Sequence, residues 1–328
     1  MPDIKVDVND LKFIERPHNV LYIGGGLTIF IANGQINVER DGNVVSQVRG
    51  PSIFSQCFFV DLEDAVILMF DGRQIIVLYK QGEAPQQHTV DHRLMGSAIT
   101  PHYYFGGDSI VFGTSNFNRV QLVRYDFVLG TREAQTQSYD LQTIDDLKCA
   151  DGRTYAVLND CLLLCFDMQT GRELWRKFDV TGVNGELCLT QQSIVYASKS
   201  LLKRVGPDRV LDHIMLNVPI VSVLHALNDH LFICLTGSGK SISLVDTDSR
   251  QIKWTSELAV DIKKSVVIYD KGNPVLMTCA THYVHFIDLQ AGRLLKMLKL
   301  PGVTSITTSP TAVVAHKSDG SSLMFEGD

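Results

Sequence analysis

The run Phe166-Asp-Met-Gln-Thr-Gly-Arg-Glu-Leu-Trp175 decides the architecture. An apolar stretch, Cys161-Leu-Leu-Leu-Cys-Phe166, ends in Asp167; three residues later comes Gly171, and Trp175 follows as the next strand begins. An aspartate that closes a strand can accept hydrogen bonds from backbone N–H groups of the turn, and glycine supplies the left-handed residue. The bulky residue that opens the following strand then packs its ring on a neighbouring sheet. The same arrangement recurs at Tyr125-Asp126 with Gly130, at Val245-Asp246 with Arg250 in the glycine position, and at Ile287-Asp288 with Gly292. A second tryptophan, Trp254, stands eight residues after Asp246, as Trp175 does after Asp167. The four aspartates are spaced by 41, 79 and 42 residues, so the middle interval reads as two units. Its degenerate turn is visible at Val205-Gly-Pro-Asp-Arg209, and earlier turns at Asp41-Gly42 and Gln81-Gly82 keep the step.

Around these markers the chain is built of short runs rich in Val, Ile and aromatics, such as Ala65–Phe70, Gln74–Tyr79, Ser109–Phe112 and Val120–Tyr125. Asp71-Gly72, Asn33-Gly34, Gly106-Gly107 and Asn159-Asp160 punctuate them, and such pairs tolerate the positive φ of tight hairpins. No window of a dozen residues holds a 3.6-residue period. Leu294–Leu300 is composed of good helix formers, but its place in the repeat makes it a strand. The expected class is all-β, and a period near 41 residues holding four short strands is the signature of a β-propeller blade.

At Phe166–Trp175 the residues resemble the repeat of the pyrroloquinoline-quinone-like (quinoprotein-type) propellers, an apolar-Asp-x-x-Thr-Gly-x-x-x-Trp run. Gln251-Ile-Lys-Trp254 is a weaker copy, and Ile287-Asp-Leu-Gln-Ala-Gly-Arg293 lacks the Trp. The resemblance implies a propeller fold; it does not imply a function, because propellers host unrelated activities. Family enzymes that use the quinone also carry adjacent cysteines, a Trp floor and a calcium site. This chain has no adjacent Cys pair and places both tryptophans at the repeat position, so no cofactor is expected. The structural repeat positions are Asp126, Gly130, Asp167, Gly171, Trp175, Asp246, Trp254, Asp288 and Gly292.

Strand clusters fall near 20–49, 52–90, 94–140, 144–180, 184–216, 220–258 and 263–300. A remainder, Val303–Ser309, Ala312–Ala315 and Ser322–Phe325, supplies three strands. The fourth is available from the N-terminus, at Ile4–Val8 or Leu11–Glu15. Pairing the N- and C-terminal strands would close a ring and remove an exposed edge. The expectation is one domain over 1–328, an eight-bladed β-propeller, with seven blades as the alternative.

Composition limits the function. With 45% hydrophobic residues the 328-residue chain has ample material for a core, and its net charge of −6 opposes a protein that binds by neutralising phosphates. A sparse basic strip, Lys199, Lys203, Arg204 and Arg209, reads as solvated surface. The acid-dotted N-terminus lacks the unbroken apolar stretch of a signal peptide, so export is not expected, and no run reaches the roughly 18–20 apolar residues of a membrane span. Seven cysteines, none in a C-x-x-C pair, read as buried thiols in a reducing, cytoplasmic setting.

Candidate chemistry is thin. Thr236-Gly-Ser-Gly-Lys-Ser241 lacks the leading glycine of a phosphate loop and precedes a strand, Ile242–Val245, where a helix would be needed. Gly24-Gly25-Gly26 likewise leads into a strand and reads as a turn. His282 with His285, His88 with Asp91 and His92, and His225 with Asp229 and His230 are the nearest approaches to a metal set, and none offers three evident ligands. Pro101-His-Tyr-Tyr-Phe-Gly106 falls where the innermost strand of a blade belongs, so Tyr103, Tyr104 and Phe105 are packing residues or aromatic contacts for a partner. The expected function is a non-catalytic protein-interaction scaffold, or a structural component of a larger assembly, with protein partners. The alternative is a hydrolase or lyase with its site at the mouth of the central channel.

Overall fold

The computed structural model describes residues 4–49, 58–62, 64–70, 74–81, 84–89, 93–94, 103–104, 109–116, 119–140, 144–150, 153–159, 162–178, 187–190, 193–198, 200–206, 210–258 and 260–326. Every regular element among them is a β-strand, and the strands form eight antiparallel sheets. Sheets I to VII follow chain order. Sheet I holds Asn19–Gly24, Leu27–Ala32, Gln35–Arg40 and Asn43–Arg49; sheet II holds Phe58–Asp61, Ala65–Phe70, Gln74–Tyr79 and Gln86–Thr89. In sheet III the first strand comes in two pieces, Arg93–Leu94 and Tyr103–Tyr104, both paired with Ser109–Asn116, and Arg119–Asp126 and Thr131–Gln135 complete it. Sheet IV holds Ile144–Ala150, Arg153–Leu158, Leu162–Asp167 and Arg172–Phe178; sheet V holds Cys188–Leu189, Ile194–Ser198, Leu201–Val205 and Val210–Met215. Sheet VI holds Ile220–Ala226, Leu231–Thr236, Ser241–Asp246 and Gln251–Glu257; sheet VII holds Ile262–Asp270, Asn273–Ala280, Tyr283–Asp288 and Leu294–Lys299.

Sheet VIII joins the two ends of the chain. Val303–Ser309, Ala312–Lys317 and Ser322–Glu326 are completed by Phe13–Arg16, which pairs antiparallel with Ser322–Phe325. The other N-terminal segment has a separate place. Ile4, Val6 and Val8 are buried between sheets VII and VIII, where Val6 N–H donates to the Tyr269 carbonyl (2.8 Å) and Tyr269 N–H to that of Ile4 (2.8 Å). Lys296 Nζ donates to the carbonyls of Val8 (3.0 Å) and Asn9 (3.2 Å), and Lys271 pairs with Asp7 at 3.1 Å.

The chain divides into two compact units, residues 51–213 and residues 1–50 with 214–328. The first holds sheets II to V, the last strand of V ending two residues beyond it. Within this unit consecutive sheets pack face to face: II on III through Ile67, Val77, Phe112 and Tyr125, III on IV through Val111, Leu122, Leu164 and Phe166, IV on V through Tyr155, Leu163 and Tyr196. Within the second, VI packs on VII through Ile242, Leu244, Leu276 and Ile287, VII on VIII through Met277, Phe286, Val313 and Phe325, and VIII on I through Val20, Val314 and Met324.

This stacking explains the residue pattern. A middle strand is covered on both faces, so it reads as an unbroken apolar run; Leu162–Phe166, Ile194–Ser198 and Val275–Ala280 are buried throughout. Fourth strands have a free edge and alternate. In sheets I, III, IV, VI and VII the fourth strand carries a β-bulge, whose extra residues are Val45, Glu133, Leu174, Lys253 and Leu295. A bulge reverses the alternation. Ile252 and Trp254, two apart, would share a face of a regular strand; the extra residue Lys253 instead sets them opposite Val245 and Leu244, on opposite faces. Trp254 is thereby turned toward sheet VII.

Candidate functional site

The repeat positions form one local device used four times. The Asp126 carboxylate accepts from the N–H groups of Val128 (2.9 Å) and Leu129 (2.7 Å), Asp246 from Asp248 (3.0 Å) and Ser249 (3.2 Å), and Asp288 from Gln290 (2.8 Å) and Ala291 (3.2 Å). Asp167 accepts from Gln169 N–H (2.9 Å) and from the Thr170 hydroxyl (3.0 Å). Lys253 Nζ lies 2.9 Å from Asp246, and this ion pair, with the turn's N–H groups, holds that carboxyl far below its ordinary range. The residue after each aspartate, Phe127, Met168, Thr247 or Leu289, is buried. The fourth residue on is left-handed: φ is 68° at Gly130, 71° at Gly171, 69° at Gly292 and 55° at Arg250.

Left-handed geometry is half of what glycine supplies here. A Cβ on Gly292 would collide with the Trp254 indole, one on Gly171 with the Gln135 carbonyl, and one on Gly130 with the His88 ring. In each case the turn of one sheet is pressed against the fourth strand of the sheet before it. Trp254 completes the contact by donating its indole N–H to the Leu289 carbonyl at 3.2 Å. Trp175 packs beside Tyr155, ring centres 6.2 Å apart, in the core between sheets IV and V. These residues set the spacing between sheets, and none of them forms a reactive cluster.

The histidines are dispersed. His282 sits in a turn at φ 67° and accepts from Gly302 N–H (3.2 Å), so it is not on a strand with His285. His285 is buried beside Thr278 on the neighbouring strand, and burial lowers its pKa. His225 Nε2 lies 3.0 Å from Ser265 Oγ, and His230 pairs with Asp248 at 2.8 Å. His316 bridges sheets VIII and I, its Nε2 2.8 Å from the Thr307 hydroxyl and its Nδ1 3.0 Å from Asn19 Oδ1; desolvation pushes its pKa down to about 4. His92 and Asp91 lie outside the described residues. Among the described residues no group of three His, Cys, Asp or Glu side chains is arranged to hold a metal ion. Thr236–Ser241 is the turn between the second and third strands of sheet VI, with Gly237 at φ 65° and Gly239 at 87°. Cys165, Cys234 and Cys279 are buried thiols, Cys149 and Cys188 partly buried ones; Cys57 and Cys161 lie outside the described residues.

Tyr103 and Tyr104 pair through their backbones with Val111 and Ile110, as half of the split first strand of sheet III; Phe105 lies outside the described residues. The expected single strand over Pro101–Gly106 is thus shared with Arg93–Leu94, which takes the Thr114–Ser115 end of the same edge.

The surface that stands out was not singled out in the sequence. Exposed large apolar side chains concentrate on the fourth strands of three sheets packed in series: Leu294, Leu295 and Met297 on VII, Phe13 and Ile14 on VIII, Val44 and Val45 on I. The fourth strand of sheet VI, by contrast, turns Gln251, Lys253, Thr255 and Glu257 outward. The three apolar edges carry Lys296, Lys299, Arg16 and Arg49 against a single carboxylate, Glu15, which is engaged by Lys317. These edges thus join exposed apolar side chains to an excess of cations, on a chain that is acidic as a whole.

No protein-family profile and no curated protein sequence matches the chain. Solved structures do. The chain is similar to the C-terminal WD40 domain of Sif2 (TM-score 0.69, 12% identity, 98% of this chain and 99% of that one). It is similar to BamB from Moraxella catarrhalis (TM-score 0.68, 13% identity, 96% and 98%). It is also similar to a chain of the mitotic checkpoint complex (TM-score 0.59, 11% identity, 80% and 86%). At these identities the similarity establishes the fold, which is that of a β-propeller.

Proposed function

We propose that the chain is a non-catalytic protein-interaction scaffold, one eight-bladed propeller domain over 1–328 with sheets I to VIII as its blades and the ring closed by Phe13–Arg16 in the last. The Asp-turn device, with Trp254 docked on the next sheet, supports a quinoprotein-type reading of the repeat. The cytoplasm is the proposed compartment, supported by cysteines that sit as buried or partly buried thiols within the strands. The observation that carries the functional reading is the apolar, cationic strip on the fourth strands of sheets VII, VIII and I. Large apolar side chains exposed on three successive sheets are the kind of surface that a partner covers. The similarity to a chain from a multiprotein complex supports the same reading.

Cross-linking with mass spectrometry on the chain tagged in its native cells tests it. Cross-links from Lys12 and Lys299 to one or a few proteins at stoichiometric yield are expected. Recovery of the chain as a bare monomer, with no cross-linked protein, overturns the reading.

A further inference from the structure

The strip contains one strand unlike the rest. The fourth strands of sheets I, III, IV, VI and VII are each interrupted by a bulge, which twists an edge and discourages further pairing. Phe13–Arg16 pairs with Ser322–Phe325 in unbroken register and ends its sheet, as the polar Gln86–Thr89 does in sheet II. Both of its apolar residues are exposed, Phe13 at 49% and Ile14 at 40%, as is Glu15 between them and Arg16. They serve opposite faces: Phe13 lies opposite Phe325 on the side of sheet VII, and Ile14 opposite Met324 on the side of sheet I. A regular, apolar edge left open is a template for another strand.

Charge selects the occupant. Glu15 is neutralised by Lys317, while Lys12 is exposed beside one end of the strand and Arg16 stands at the other. A second copy of the chain fits poorly. A two-fold axis through an antiparallel pair sets one residue opposite itself, since facing residues share a face. Centred on Ile14, that axis brings Lys12 against Arg16; centred on Glu15, it brings two carboxylates together; centred on Phe13, it sets Lys12 across from Ile14. Like charges directly opposite destabilise a ladder.

We propose that Phe13–Arg16 is a docking edge for an extended segment of a protein partner. The segment adds as a fifth strand, with apolar side chains opposite Phe13 and Ile14 and carboxylates opposite Lys12 and Arg16. Backbone hydrogen bonds give the affinity and the alternating side chains the selection, as in other strand additions. The inference rests on the scaffold reading and names the chemistry of its partner.

The test uses the full chain and a labelled peptide, Glu-Glu-Thr-Ile-Val-Glu-Glu, in antiparallel register, with a second peptide in which lysines replace the glutamates. Saturable binding of the acidic peptide is expected by fluorescence anisotropy, weakened about ten-fold by Ile14→Lys and by a rise in salt. Arg16→Glu, which leaves the apolar residues in place, is expected to reverse the preference between the peptides. Hydrogen exchange should slow at the amides of Phe13–Arg16 and at no other edge. Equal binding of both peptides, unchanged binding to a folded Ile14→Lys variant, or protection on another strand overturns the proposal. So does binding to phosphatidylserine vesicles, lost in the same variants, when the peptide fails to bind. If the peptide fails while cross-links in cells still reach stoichiometric protein partners, the docking edge is wrong and the scaffold reading stands.

Discussion

The indole N–H of Trp254 donates to the carbonyl of Leu289 in the next sheet at 3.2 Å, and the same ring occupies the space that a Cβ on Gly292 would need. One side chain thereby reads both the backbone of a turn and the absence of a side chain in it. Trp254→Phe keeps most of the buried surface and removes the donor, at an expected cost of about 1 kcal/mol. Gly292→Ala meets both the left-handed φ and the ring, at about 2–4 kcal/mol. Denaturant melts of the two single variants and the double variant should show coupling, because alanine costs less once the indole is gone. Strict additivity would mean that the two residues do not act as one contact.

Arg250 occupies the position that Gly130, Gly171 and Gly292 hold in the sister turns, at φ 55°. A left-handed non-glycine residue costs about 1–2 kcal/mol, and glycine returns about 0.5–1 of that to the unfolded chain as entropy. Arg250→Gly is therefore expected to stabilise the protein by about 0.5–1 kcal/mol, read as a rise in melting midpoint. Gly171→Ala, at the matching position, should lower it.

Acid should weaken the contact between sheets VIII and I. His316 titrates near 6.5 when unfolded and is held down to about 4 in the fold, so between those values the unfolded chain takes up a proton that the folded one refuses. Stability is full above pH 6.5 and falls as the pH drops toward 4, by at most about 3 kcal/mol for this residue. His285, also lowered by burial, acts in the same direction. Urea titrations across pH 7.5 to 4.5 should show the decline, and His316→Gln should flatten it. An identical slope in that variant would remove the histidine from the account.

Val6 sits in the seam between sheets VII and VIII at 4% exposure. Val6→Asp buries a carboxylate among Ile268, Phe286 and Phe325 and is expected to cost about 3 kcal/mol or more. Hydrogen exchange at the Tyr269 amide, which donates to Ile4, should rise in the same variant. Wild-type stability there would mean that residues 4–8 rest on the seam without holding it.

What the sequence disclosed was what local chemistry determines. Asp126, Asp167, Asp246 and Asp288 act within three residues of themselves, so their turns were legible from spacing alone. The N-terminus offered two candidate strands for the last sheet, and the structure employs both: Phe13–Arg16 in the ladder, Ile4–Val8 between two sheets. Nothing local distinguishes them, since each depends on partners some three hundred residues away; Arg16 and Met324, in contact, are 308 apart. The apolar strip was hidden for a related reason. Leu294, Leu295 and Met297 look like core until it is known that their strand ends a sheet, and bulges at Leu295 and Val45 break the alternation that would have marked the outward side. The split first strand of sheet III was equally out of reach, because Arg93–Leu94 gains its place only from Ser109–Asn116.

The union of Phe13–Arg16 with Ser322–Phe325 also orders events during synthesis. Phe13–Arg16 is made long before Ser322–Phe325, so a short apolar stretch must wait for its neighbour through translation of the intervening seven sheets. A bulky insertion just ahead of Phe13 would burden that late docking step, and removal of Ser322–Glu326 would leave Phe13–Arg16 with nothing to join.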